Sequence, residues 1–297
     1  MDNIIRKIKD CRNVTDSSLK MYRQTLNRLF RDVFDGNTDI ENLYEYDSIM
    51  QYLDDLPLHS KKNIIAAILV AAGAFDMNDK MIKLYRQEAT KLAKTIEDNY
   101  NKQEKSEKEK KNWMTLDEIL LIRDNLQKQL NDNPSTKSEI DDWQRYVILC
   151  LYTMIKPVRN NYAGAILART REEIPETGNY LSIPDKKFVS RTFKTVKKYG
   201  EQHRELPKEL MKVIKKWSII NPTKWLLYNI KLGNQMSAFR MVHILNDIFY
   251  PKKISSSMLR KIYLSTVDPV IRTMAEKKQN AANMQHDVKT QTIYRKK

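Results

Sequence analysis

Residues 101–112 read NKQEKSEKEKKN, from Asn101 to Asn112, and the reading of this stretch decides how the chain is divided. It contains no apolar residue and is dominated by Lys and Glu, so it offers nothing to a hydrophobic core. Such a composition predicts either a solvated extension of the preceding helix or a flexible connection, with a domain boundary in both cases. The expected organisation is a helical domain over residues 1–100, a charged linker over 101–112 and a second domain over 113–297.

Toward the N-terminus the pattern is helical throughout. Leu19, Tyr22, Leu26, Leu29, Phe30 and Val33 recur at helical spacing behind Thr15 or Asp16 as N-cap. A second helix is expected through Ile64, Ile65, Ile68 and Leu69, and a third over residues 80–96, with turns at Gly36-Asn37 and Leu56-Pro57. Toward the C-terminus, Thr115 and Glu118 have capping-box spacing ahead of Ile119-Leu120-Leu121-Ile122. Another helix is expected over residues 141–155, stopping before Pro157. Between Tyr180 and Leu206 the pattern changes to short alternating segments at 180–183, 188–193 and 205–206, and helices resume at Pro207. The fold class is therefore mainly α: an N-terminal helical domain, then a mostly helical domain with a small antiparallel β-sheet.

Lys and Arg outnumber Asp and Glu by 53 to 37, a formal net charge of +16 that favours polyanionic partners, nucleic acid first and an anionic membrane surface second. The two cysteines, Cys11 and Cys150, exclude a disulfide framework and fit a reducing compartment. Four dispersed histidines offer no metal-ligand spacing, and six glycines across the chain form no phosphate-cradling loop, so neither a metal nor a nucleotide cofactor is expected. The run from Ile64 to Phe75 is too short to span a bilayer, and a soluble intracellular protein without a membrane partner is expected. Trp143, Trp217 and Trp225 read as core, and the 13 methionines as adaptable packing. His59 and His243 carry no functional signal, while His203 falls in a basic hairpin where it could touch DNA.

Four separated segments carry chemistry. The first is Tyr152-Thr153-Met154-Ile155-Lys156-Pro157-Val158-Arg159-Asn160-Asn161-Tyr162, following an apolar helix. The second is Phe193-Lys194-Thr195-Val196-Lys197-Lys198-Tyr199-Gly200, leading to Glu205-Leu206-Pro207. The third runs from Ile254 through Ser257, Arg260 and Lys261 to Thr266, and the fourth runs from Asn283 through Gln285 and His286 to Tyr294. In this order the segments resemble the tyrosine recombinases over residues 114–294, and the Pro-Val-Arg-Asn-Asn-Tyr form looks most like integrases of large DNA viruses and their virophages. The preceding helical region looks like that family's core-binding domain.

The resemblance implies a site-specific recombinase or integrase that cuts and rejoins duplex DNA through a 3′-phosphotyrosine on Tyr294, as a homodimer or homotetramer on DNA and with no small-molecule substrate. Arg159 and Arg260 are the family's two arginines, Lys194 its hairpin lysine with Lys197 as fallback, and His286 its second histidine. Lys197, Lys198 and Lys261 are expected to contact DNA. The family's first histidine is replaced by Ser257, which can position a phosphate oxygen but carries no proton at neutral pH. Gln285 stands where the family has Gly, and eight residues separate His286 from Tyr294 where nine is commonest. A virus or mobile element as source, and with it a host nucleus or cytoplasm, is suggested by the first segment alone. A type IB topoisomerase would use the same residues, and a DNA-binding relative without catalysis would keep the fold.

The chemistry suits these residue types. Attack on a phosphodiester builds negative charge on its non-bridging oxygens, and guanidinium forks meet it with fixed paired donors. Tyrosine is a weak nucleophile at its ordinary pKa of ~10, so nearby positive charge must favour its phenolate. His286 would add a donor or accept the phenol proton, and Lys194 would protonate the departing 5′ oxygen.

Overall fold

The computed structural model describes residues 1–266, 274–285 and 287–296. The chain forms two compact units, Met1–Lys102 and Gln103–Lys297.

The first unit consists of α1 (Asp2–Cys11), α2 (Asp16–Phe34), a 3-10 turn at Ile40–Tyr44, α3 (Tyr46–Asp54), α4 (Leu58–Ala74) and α5 (Asp79–Asn101). Thr15 caps α2 by accepting from the Ser18 amide at 3.3 Å. The helix ends with Asp35 and Gly36 both at positive φ, where the missing Cβ of Gly36 removes the strain. The apolar run is the buried helix expected: Ile64, Ile65, Ile68 and Ala71 of α4 pack with Leu26, Leu29 and Phe30 of α2 and Tyr85 of α5 in one core. Each such aliphatic side chain stabilises the unit by roughly 1.5–3 kcal/mol. No helix among the described residues is long and apolar enough to cross a membrane.

The second unit begins with a correction. Residues 107–112, which by composition should bury nothing, form α6 (Glu107–Asn112), with Glu109 8% and Asn112 7% exposed. The reason is polar and local: Ser106 and Glu109 close a reciprocal capping box, and Asn112 Oδ1 accepts from the Lys253 amide at 2.7 Å. Then come α7 (Leu116–Gln129), opened by the Thr115–Glu118 box, and α8 (Lys137–Thr153). α8 starts four residues earlier than expected because Thr136 and Glu139 form a third capping box. Removing that cap by Thr136→Ala should cost about 1 kcal/mol in urea denaturation; an unchanged midpoint would show that packing alone fixes the start.

The sheet has four strands in the order β1 (Ile166–Ala168), β2 (Tyr180–Ser182), β3 (Lys187–Ser190) and β4 (Gln202–Glu205), with the single turn α9 (Val196–Tyr199) between the last two. It is mixed: β2–β3 and β3–β4 are antiparallel as expected, but β1 runs parallel to β2, with Leu167 opposite Leu181. The segment 188–193 is a strand only to Ser190, because Arg191 and Thr192 give their amides to Asn179 Oδ1. Five helices complete the described chain: α10 (Lys208–Ile220), α11 (Ala238–Ile248), α12 (Ser256–Thr266), α13 (Met274–Asn283) and α14 (Val288–Tyr294). The unit's core gathers Val147 to Leu151 of α8, Tyr162, Phe188, Trp217, Leu226 and Ile262. Trp217 is fully buried and gives its indole N–H to the Leu226 carbonyl at 2.8 Å, Trp143 is buried, and Trp225 is half-buried against the same core. Cys150 lies in that core, its thiol pushed up to about 12 by burial, while Cys11 is exposed in the first unit.

Candidate active site

The residue types of the Pro-Val-Arg-Asn-Asn-Tyr stretch each find a use. Val158 and Tyr162 are buried, and the rings of Tyr152, Tyr162 and Phe188 form a row with centroids 5.3 Å and 4.8 Å apart. The Tyr162 hydroxyl donates to the Leu151 carbonyl, and the Tyr152 hydroxyl donates to that of Arg159, each at 3.2 Å. This row pins the loop leaving α8 and fixes where Arg159 begins. Burial pushes both phenols above their ordinary range, which keeps them neutral donors. Asn160 reaches the Ala238 carbonyl, and Asn161 gives Nδ2 to Gln285 Oε1 at 2.6 Å.

The arginines converge on the C-terminal end of α13. Arg204 donates from Nε and Nη2 to the Asn283 carbonyl at 3.2 Å and 2.6 Å. Arg260 donates from Nη2 to the Met284 carbonyl at 2.9 Å, and Arg159 from Nη1 to the Gln285 carbonyl at 3.1 Å. Three consecutive carbonyls, left open where the helix ends, are thus each taken by a guanidinium, which also suits the negative end of the helix dipole. Thr195 Oγ1 adds a 3.2 Å bond to the Gln285 carbonyl, so the Lys194-Thr195 pair is tied to the same peptide as Arg159.

Arg260 is the centre of this arrangement. It is fully buried, and among the described residues its Nε and Nη1 have no hydrogen-bond partner. Burial pushes its guanidinium below the usual range, a shift the phenol of Tyr294 opposes and the charge of Arg159 reinforces. A buried charge without a counterion is costly, and a guanidinium remains charged at neutral pH. Among the described residues no carboxylate forms an ion pair with Arg159 or Arg260. Two N–H donors aimed into a positive, desolvated site have the chemistry of an oxyanion receptor.

Tyr294 is the last residue of α14 and half-buried, with its ring centroid 5.0 Å from the Arg260 guanidinium carbon and 5.7 Å from Lys261 Nζ. α14 is started by Asp287, whose carboxylate accepts from the Thr290 amide at 2.7 Å. Arg159, Arg260 and Tyr294 are therefore brought together around the segment 283–285.

The other expected residues are placed as follows. Lys194, Lys197 and Lys198 are exposed in and around α9, with Lys198 3.5 Å from Asp287. Lys261 is half-buried and paired with Glu109. Ser257 is exposed in the first turn of α12, whereas its neighbour Ser256 is buried. His286 lies outside the described residues. His203 is on the solvent side of β4 and 2.8 Å from Glu201. Arg204 was missed in the sequence, although it alternates with exposed His203 and Glu205 and so shares the inward face of β4.

Gln285 holds a backbone conformation that glycine would adopt without strain. Its φ of 60° lies in the left-handed region that glycine favours, and its side chain is fully buried against Asn161. Gln285→Ala keeps the strained backbone and strands the Asn161 donor, a cost of about 2 kcal/mol. Gln285→Gly loses the same bond but relieves the strain, and should cost less. Equal losses in thermal melts would mean the left-handed conformation carries no strain here.

No family model matches the chain, and no curated protein matches it. Among solved structures the chain is similar to one described as the crystal structure of XerA recombinase, at 11% identity and a TM-score of 0.43, over 99% of this chain and 92% of that one.

Proposed function

We propose that this chain is a DNA strand transferase of the tyrosine recombinase type, in which Tyr294 attacks a DNA phosphate. The observation that carries the reading is the fully buried Arg260, whose Nε and Nη1 have no hydrogen-bond partner among the described residues, beside the ring of a half-buried tyrosine. In the step, the bond from Tyr294 Oη to phosphorus forms and the bond from phosphorus to the 5′ oxygen breaks. Arg159 and Arg260 take up the charge that develops on the non-bridging oxygens. The phenol proton leaves the nucleophile, and Lys194, exposed beside Thr195, gives a proton to the departing 5′ oxygen. His286 takes the family's role in that proton traffic or as a donor to the same oxygens. Ser257 is left with a positioning role at most. A 5′ hydroxyl from a second strand then reverses the step and joins the strands anew. The first unit serves as the core-binding domain on duplex DNA, and the working form is a dimer or tetramer assembled there. The source is a mobile or viral element, as the first segment's likeness suggests.

The test is a covalent trap. The full chain is incubated with nicked suicide duplexes taken from the DNA flanking its own gene, denatured, digested and mapped by mass spectrometry. An adduct on the peptide holding Tyr294 is the expected result. Specific binding with no adduct at any pH would leave a DNA-binding protein without catalysis, and an adduct that only reseals its own strand would mark a topoisomerase.

Affinity for duplex DNA should also fall steeply with salt. A net charge of +16 and exposed Lys194, Lys197 and Lys198 imply several phosphate contacts, and six of them would weaken binding about a thousandfold between 50 and 200 mM salt. A nearly flat dependence in a titration would rule out backbone clamping.

A further inference from the structure

The segment 103–112 touches both α14, which carries Tyr294, and α12, which carries Arg260. Gln103, at a φ of 57°, donates from Nε2 to the Thr292 carbonyl of α14 at 2.9 Å, two residues before Tyr294. Glu109 pairs with Lys261 of α12, and Asn112 holds the Lys253 amide just ahead of that helix. Lys105 lies over the ring of Trp113, 4.6 Å from its centroid. This is a strap rather than a spacer, and it is the covalent route out of the first unit.

We infer that Glu109 is a positioning residue for Tyr294: acting through Lys261, it sets how much positive charge the phenol experiences and so the pH at which it ionises. The inference rests on Tyr294 being the nucleophile. Lys261 Nζ is 5.7 Å from the Tyr294 ring, and the carboxylate that neutralises it is only 8% exposed. Burial pushes the Glu109 carboxyl up, but Lys261 and Ser106 more than offset this and hold it below its ordinary range. Among the described residues, Arg260 and Lys261 of α12 lie against the Tyr294 ring, Glu109 of the strap faces Lys261, Arg159 adds its charge to that of Arg260, Arg295 follows the phenol in the chain, and Lys296 shares a charge cluster with Glu109, Lys261 and Lys105. Lys296 is pushed down by burial, a shift Glu109 opposes and Lys261 and Lys105 add to. Glu109 is thus the carboxylate, among the described residues, set against this cluster of cations. It restrains the nucleophile while the strap is seated. Any change that lifts α6 away would leave Lys261 uncompensated and favour the phenolate.

The test reads ionisation rather than reaction, so that it stands apart from strand transfer. The full chain is labelled with 13C at tyrosine Cζ, and the Tyr294 signal is identified by its loss in Tyr294→Phe. Glu109→Gln should lower the Tyr294 midpoint by about one pH unit, and Lys261→Gln should raise it by a similar amount. The double variant Glu109→Gln with Lys261→Gln should return it close to its starting value. If Glu109→Gln does not fold, Lys261→Gln alone decides, because it leaves the strap's caps intact. Midpoints that stay put in folded variants would overturn the inference and make the strap plain scaffolding. Midpoints that move in a chain forming no adduct would uphold it while overturning the reading as a strand transferase.

Discussion

Arg260→Met should leave the second unit at least as stable as the parent, and more stable by about 1–3 kcal/mol, while slowing adduct formation by about a hundred- to a thousandfold. The two effects have one cause. In the resting protein Arg260 is a fully buried charge with two unpartnered donors and no carboxylate partner among the described residues. Methionine of similar length fills the space without that charge, and the loss of the bond to the Met284 carbonyl offsets only part of the gain. In the proposed reaction the same guanidinium would meet the phosphate oxygens, and removing one such preorganised donor slows a step by about a hundred- to a thousandfold. Arg260→Lys should recover only a small part, because an ammonium cannot keep the carbonyl bond and form a fork to phosphate together. Thermal melts and single-turnover adduct rates give both numbers. A methionine variant that melts several degrees lower would show Arg260 to be a cap on α13 and nothing more.

Trp217→Ala should be the most damaging single change to the fold of the second unit, at about 3–5 kcal/mol. The side chain is the largest fully buried one, stacks on Tyr228 at 6.2 Å between centroids, and gives its N–H to the Leu226 carbonyl. Alanine removes the packing, opens a cavity under α10 and leaves that carbonyl without its donor. Denaturant unfolding followed by circular dichroism should show the second unit's transition shifted and that of residues 1–102 in place. A loss under about 1.5 kcal/mol would mean the core around α8 and α10 collapses into the space.

Much of this architecture is written in the sequence at the level of caps and periods. The Thr115–Glu118 box, the α4 run and the Thr15 cap each depend on a few neighbouring residues, so local patterns find them. β1 was invisible because three residues, Ile166 to Ala168, cannot display a period of two, and its partner strand is reached only through tertiary folding. The 101–112 stretch misled for a related reason. Its composition forecasts solvation, yet Glu109 is buried because a cation from a helix some 150 residues later needs it. Arg159, Arg260 and Tyr294, singled out in the sequence by type and order, lie together in the structure. What could not be read was their anchor: the carbonyls of 283–285 are backbone, identical in every sequence, and their availability follows from where α13 stops. Arg204 belongs to the same anchor, and nothing in the sequence around it singles it out.

That anchor makes the arginines interdependent. Arg159, Arg204 and Arg260 come from a loop, a strand and a helix far apart in the chain, yet each rests on a neighbouring link of one short peptide stretch. A shift of that stretch repositions all of them together, as fingers move with a palm. Substitutions at these sites should therefore be far from additive, and a descendant of this protein that altered one would find the others already displaced. The same coupling lets drift at buried positions beneath the stretch disarm the site without touching any of the three arginines.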